Sequence, residues 1–105
     1  MDKVEARALL DTEISRLRAL SYGELRRYTD EEHLELTGPS GKEYQVDVLA
    51  VWDRGKEGDL RLMVSIDDGG LLAAFLPMTD GFVMATDGAF IGEKESPTAG
   101  VELTE

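Results

Sequence analysis

Hydrophobic positions change their period once along this chain. From Asp2 to Leu20 there is no Gly or Pro. Over that run Ala6, Leu9, Leu10, Ile14, Leu17 and Leu20 fall on one stripe at helical spacing, about 140° wide. Asp2 and Glu5 stand in the first turn of the implied helix, Arg16 and Arg18 near its end. Both placements suit the helix dipole. Ser21 and Glu24 then have the Ser-x-x-Glu spacing of a capping box, which predicts a short second helical turn anchored by Tyr22 and Leu25. Gly23, inside that turn, weakens it. A stripe this short suits a helix laid on a sheet better than a coiled-coil seam.

After Asp30 the period drops to two. Strand-like runs lie at 32–37, 43–53, 59–67 and 71–76, with a weaker pair at 82–86 and 89–92. The connections are short, which favours antiparallel hairpins. The turns supply registers. A three-residue loop at Pro39–Gly41 pairs Leu36 with Tyr44 and Leu34 with Val46. A five-residue loop at 54–58 pairs Trp52 with Leu60, Ala50 with Leu62, Val48 with Val64 and Val46 with Ile66. Asp68-Gly69, read as a two-residue turn, pairs Ile66 with Leu71, Val64 with Ala73 and Leu62 with Phe75. Asp87-Gly88 carries the same signal. Opposed residues share a face, so the three registers gather one continuous apolar face, Trp52 included. The predicted fold is α+β: an N-terminal helix and a short helical turn packed on a curled antiparallel meander of four to six strands.

The opposite face is divided. One part carries His33, Glu35, Gln45, Asp47, Ser65 and Asp67, as a solvated face should. The other gathers Leu49, Val51, Met63, Leu72, Ala74 and Leu76, with Arg61 among them. The plain use of that patch is to be covered by the final hairpin at 82–92. The functional use is contact with another chain, with Leu49, Val51, Arg61, Met63, Leu72 and Leu76 as the interface. A small-molecule pocket at one end of the sheet, with Tyr44, Asp53 and Arg61 as its polar groups, is the third.

Composition narrows the function. At 105 residues the chain suits one domain, placed at 1–93. From Glu93 onward it holds four Glu, Pro97 and Gly100 with little to bury, so 94–105 reads as a disordered acidic tail. The formal charge is −11 and uneven: six basic and five acidic residues precede Thr29, five basic and seventeen acidic follow from it. That balance argues against nucleic acid and anionic membranes as partners. Zero Cys and one His leave no thiol nucleophile, Cys-based zinc site or multi-His metal centre. The Asp residues of the turns lack EF-hand spacing, and the Gly residues form no phosphate-binding loop. Asp53 and Asp59 face each other at a hairpin mouth, and His33 opposes Asp47; neither pair has a nucleophile motif beside it. No catalytic residue, cofactor or metal ligand is assigned. Without an apolar leader or a run long enough for a membrane helix, a cytoplasmic protein is expected. The expected function is a small acidic, non-catalytic interaction or regulatory module. Its partner would be a protein, either a second copy (a homodimer) or a basic protein, as for an immunity protein or antitoxin. The alternative is a small-ligand binder or enzyme using the Tyr44–Asp53–Arg61 pocket.

Overall fold

The computed structural model describes residues 2–69 and 77–93. Helix α1 spans Lys3–Arg18, a short helix α2 spans Tyr22–Leu25, and a 3-10 turn follows at Arg26–Thr29. Four strands follow among the described residues: β1 (Glu32–Thr37), β2 (Glu43–Trp52), β3 (Leu60–Asp67) and β4 (Met78–Met84). They form one antiparallel sheet in the order β1-β2-β3-β4. This is the α+β architecture expected from the sequence.

The helical boundaries follow from side-chain chemistry. The Asp2 carboxylate caps α1 by accepting from the Glu5 N–H at 3.0 Å. Ser21 and Glu24 form the expected capping box, with Glu24 N–H donating to Ser21 Oγ and Ser21 N–H to Glu24 Oε1. Leu25 is fully buried and anchors α2, while Tyr22 is half-buried and donates its hydroxyl hydrogen to the Gly58 carbonyl. Tolerance of Gly23 is explained by the shortness of the helix, which is held by its cap and by Leu25 rather than by propensity.

The first two registers match the sequence reading residue for residue. Leu36 faces Tyr44 and Leu34 faces Val46; Trp52 faces Leu60, Ala50 faces Leu62, Val48 faces Val64 and Val46 faces Ile66. In the first turn Gly41 N–H donates to the Gly38 carbonyl and Gly41 has φ +89°, the left-handed closing residue of a three-residue loop. The third register is corrected. β3 is flanked by β4, so Ile66 faces Met78, Val64 faces Asp80 and Leu62 faces Phe82, in place of Leu71, Ala73 and Phe75. The 71–76 run itself lies outside the described residues. The physical reason is at the turn. A two-residue type I′ hairpin needs positive φ at both central residues. Only Gly69 has it (φ +79°), while the Asp67 carboxylate accepts from Gly69 N–H and rounds off the strand end. Asp87-Gly88 is corrected on the same ground. Gly88 alone has positive φ, and Ala85 N–H donates to the Ala89 carbonyl across a three-residue loop. Beyond it the weak final hairpin holds a bridge between Met84 and Phe90 and a bond from Ile91 N–H to the Val83 carbonyl.

One layer of core lies between α1 and the sheet. Ala6, Leu10 and Leu17 from α1 meet Tyr44, Val46, Val48, Ala50, Leu60, Leu62, Val64, Ile66, Phe82 and Met84. Leu9, Ile14, Leu20 and Trp52 pack against it at the margin. Charged contacts tie α1 to β4 and the chain beyond it. Arg7 bonds to Asp80 at 2.5 Å, and Arg18 makes a two-pronged contact to Glu93 at 2.5 and 2.8 Å. The Arg18 guanidinium also stacks 3.8 Å from the Phe90 ring centre, and Phe90 meets Phe82 edge to face.

Glu13 also belongs to the buried stripe, three residues after Leu10 and four before Leu17, and is only 6% exposed. Its carboxylate accepts from Arg16, which also donates to the Tyr28 hydroxyl at 3.3 Å. The Arg16 side chain is 47% exposed, so an apolar group in place of Glu13 leaves no buried charge unpaired. Glu13→Leu should therefore unfold within about 1 kcal/mol of the wild type in urea, while Glu13→Ala, which leaves a cavity, should cost about 2 kcal/mol.

Glu5 has a role beyond the helix dipole. Its carboxylate accepts from Ser40 N–H (2.8 Å), Ser40 Oγ (2.7 Å) and the Tyr44 hydroxyl (2.8 Å), pinning the β1–β2 turn to α1. The Ser40 backbone N–H, then the Ser40 and Tyr44 hydroxyls, hold Glu5 below the usual carboxylate range. Burial, then the Glu5 carboxylate, pushes Tyr44 up to about 12. The Glu5 contribution to stability is complete above its unfolded value of about 4.3 and is lost as pH falls through the lower folded value. The Tyr44 contribution is complete below its unfolded value of about 10 and is lost as pH rises towards the folded one. Urea midpoints measured from pH 3 to pH 12 should fall at both ends, and Glu5→Gln should flatten both limbs.

Candidate functional site

The face of the sheet turned away from α1 carries side chains that the core does not use. The registers arrange it in rows across the strands. Glu35, Gln45 and Asp67 form one row; His33, Asp47, Ser65 and Thr79 the next. Leu49, Met63 and Gly81 follow, then Val51, Arg61 and Val83. Thr37 and Glu43 add a partial row at the acidic end. Polar rows and apolar rows therefore sit side by side on one surface.

In the apolar rows Leu49, Val51 and Met63 are half-buried and Val83 is buried. Arg61 stands among them with its side chain 48% exposed, and its guanidinium is committed: Nε and one terminal nitrogen reach Asp53 Oδ1 at 2.9 and 2.8 Å. The β2–β3 register thus places Leu49, Val51, Arg61 and Met63, four of the six residues expected at an interface, on one face. Leu72 and Leu76 lie outside the described residues. Val83 was missed because the 82–86 run was not paired with β3; its alternation with Phe82 and Met84 on the buried face was the available signal. Gly81 was missed as well. It puts no side chain into its row, and a Cβ there would lie 2.0 Å from the Leu62 carbonyl oxygen.

The final hairpin, expected as a cover for this face, runs beside β4, where Ile91 N–H donates to the Val83 carbonyl at 2.9 Å. Phe90 packs on the core and under Arg18, and Glu93 bonds to Arg18, so both are engaged at the C-terminal end of α1.

In the polar rows His33 bridges its neighbours. Its Nδ1 lies 2.7 Å from Asp47 Oδ1 and its Nε2 lies 2.7 Å from Gln45 Oε1. The Asp47 carboxylate, then the Gln45 amide oxygen, hold His33 above the usual histidine range. Glu35 and Glu43 are exposed and make no hydrogen bond or ion pair with a described residue. At the far end of the β1–β2 hairpin Lys42 reaches Asp68 at 3.8 Å.

The three polar groups of the sequence-based pocket do not converge. Tyr44 is at the start of β2, fully buried on the core face and bonded to Glu5. Asp53 follows the end of the same strand, about 30 Å along it at ~3.3 Å per residue, and is bonded to Arg61. Trp52, expected in the core, is half-buried at its margin with the Arg26 guanidinium 5.5 Å from its ring centre. Among the described residues no helix is long and apolar enough to cross a membrane. In comparisons with known proteins, no family model, no curated protein and no solved structure matches the chain.

Proposed function

We propose that this chain is a small acidic, non-catalytic interaction module of the cytoplasm, whose contact surface is the outer face of the sheet. One observation carries the reading. Two adjacent rows, Leu49–Met63 and Val51–Arg61–Val83, present apolar side chains on the face opposite the core. Apolar groups beside polar rows, on the sheet face away from the core, have the composition of a contact patch. The polar candidates for chemistry are engaged within the fold: Asp53 with Arg61, and Tyr44 with Glu5. Binding by a surface suits this arrangement better than turnover in a pocket.

The test is a side-by-side capture from extract of the native host with immobilised wild-type and Met63→Asp chains. The expected result is a stoichiometric partner retained by the wild type and lost by the variant, with the variant folded. Capture of the same partner by both would remove the outer face from the reading.

A further inference from the structure

We infer that the occupant of the outer face is a cationic segment of a partner protein, one that sets apolar side chains on the Leu49–Met63 and Val51–Val83 rows and Lys or Arg on the carboxylate rows beside them. This rests on the interaction reading and adds the chemistry of the partner. Three carboxylates, Glu35, Asp47 and Asp67, occupy the two full polar rows, and Glu43 adds a fourth in the partial row. Among the described residues of that face only His33 answers them, since Arg61 is held by Asp53. The net field over the polar rows is therefore negative, and a cationic stretch is the chain chemistry that this field attracts.

A second copy of the chain fits less well. Rows lie roughly 7 Å apart along the strands and the four strands span about 14 Å, so the two apolar rows cover on the order of 200 Å². A standard interface takes about 800 Å² from each partner. A two-fold contact that grows to such a size must extend over the polar rows. It then sets carboxylates of one copy against apolar or acidic rows of the other, which costs desolvation or repulsion. A cationic segment covers the same rows and gains at each. From Glu43 to Val51 the face runs about 27 Å, the length of a helix of roughly 18 residues.

The test uses the full chain, labelled with ¹⁵N, and synthetic 18-residue peptides. Each carries leucines at helical spacing over one half and four lysines on the same side over the other half, made in both orders; matched peptides carry glutamates in place of the lysines. A lysine peptide should shift the backbone amides of Gln45, Asp47, Leu49 and Met63. Its Kd should rise at least tenfold on Glu35→Lys/Glu43→Lys, two exposed sites without bonds to a described residue, and the glutamate peptides should bind at least tenfold more weakly. A lysine peptide that binds this face equally well in the charge-reversed variant overturns the cationic inference and leaves the interaction reading standing. A concentration-dependent dimer that is lost in Met63→Asp does the same, by making a second copy the occupant. If no peptide moves the outer-face amides and the chain stays monomeric, both readings fall.

Discussion

Leu62→Ala should lower the unfolding free energy by about 4 kcal/mol, a large part of the total that a domain of this size has. Leu62 is fully buried at the centre of β3, with Ala50 and Phe82 opposite it on either side and α1 above. Its removal opens a cavity that has little means of closing. The neighbouring backbones are fixed by ladder hydrogen bonds on both sides, and Ala50 is too small to fill the space. The urea midpoint should fall with little change in the slope of the transition, since the variant alters stability rather than the extent of unfolding. A loss under 1 kcal/mol would show that α1 settles into the gap and that the helix–sheet contact is plastic.

Gly81→Ala should cost about 3 kcal/mol, an unusual penalty for adding one methyl group at an exposed strand position. The added Cβ would lie 2.0 Å from the Leu62 carbonyl oxygen and 3.1 Å from the carbonyl carbon. Both belong to the backbone of β3, so no side-chain rotation relieves the collision, and β4 must move away from β3. Asp80 is adjacent, and its bond to Arg7 ties β4 to α1, so displacement of β4 also loosens that contact. Urea unfolding followed by tryptophan fluorescence would read the stability, and exchange of the β3 and β4 amides would read the separation of the strands. Wild-type stability in this variant would mean that the close approach at Gly81 is absent in solution.

The legibility of this fold in its sequence was uneven for physical reasons. The β1–β2 and β2–β3 registers could be read because turn chemistry and alternation agree there: Gly41 closes the first turn, and a slip of one residue would turn Val46, Val48 and Ala50 out of the core. The partner of β3 could not be read so simply. The alternation of Leu71, Ala73 and Phe75 competes with that of Met78, Phe82 and Met84, and an Asp-Gly pair does not reveal whether Asp takes positive φ. Glu13 was passed over because a charged residue breaks an apolar pattern, although its position fits the stripe and Arg16 lies one turn away. Glu5 was assigned to the helix dipole, since nothing in local spacing shows that Ser40 and Tyr44 approach it from the hairpin. On the outer face, Leu49, Val51, Arg61 and Met63 follow from the period together with the β2–β3 register, but the pocket of Tyr44, Asp53 and Arg61 groups a core-face residue at the start of β2 with residues at the opposite end of the β2–β3 pair.

The two faces of β3 are used differently, and Met63 is the position where that difference is most open to measurement. It is the neighbour of Leu62 in sequence but points to the outer face. Thermal unfolding of Met63→Asp tests the account directly. An acid placed on a half-buried site outside the core should cost no more than about 1 kcal/mol, so the variant should melt within about 8 °C of the wild type. A collapse as deep as that of Leu62→Ala would mean that the chain buries Met63 against itself, and would contradict an outer face kept free for a partner.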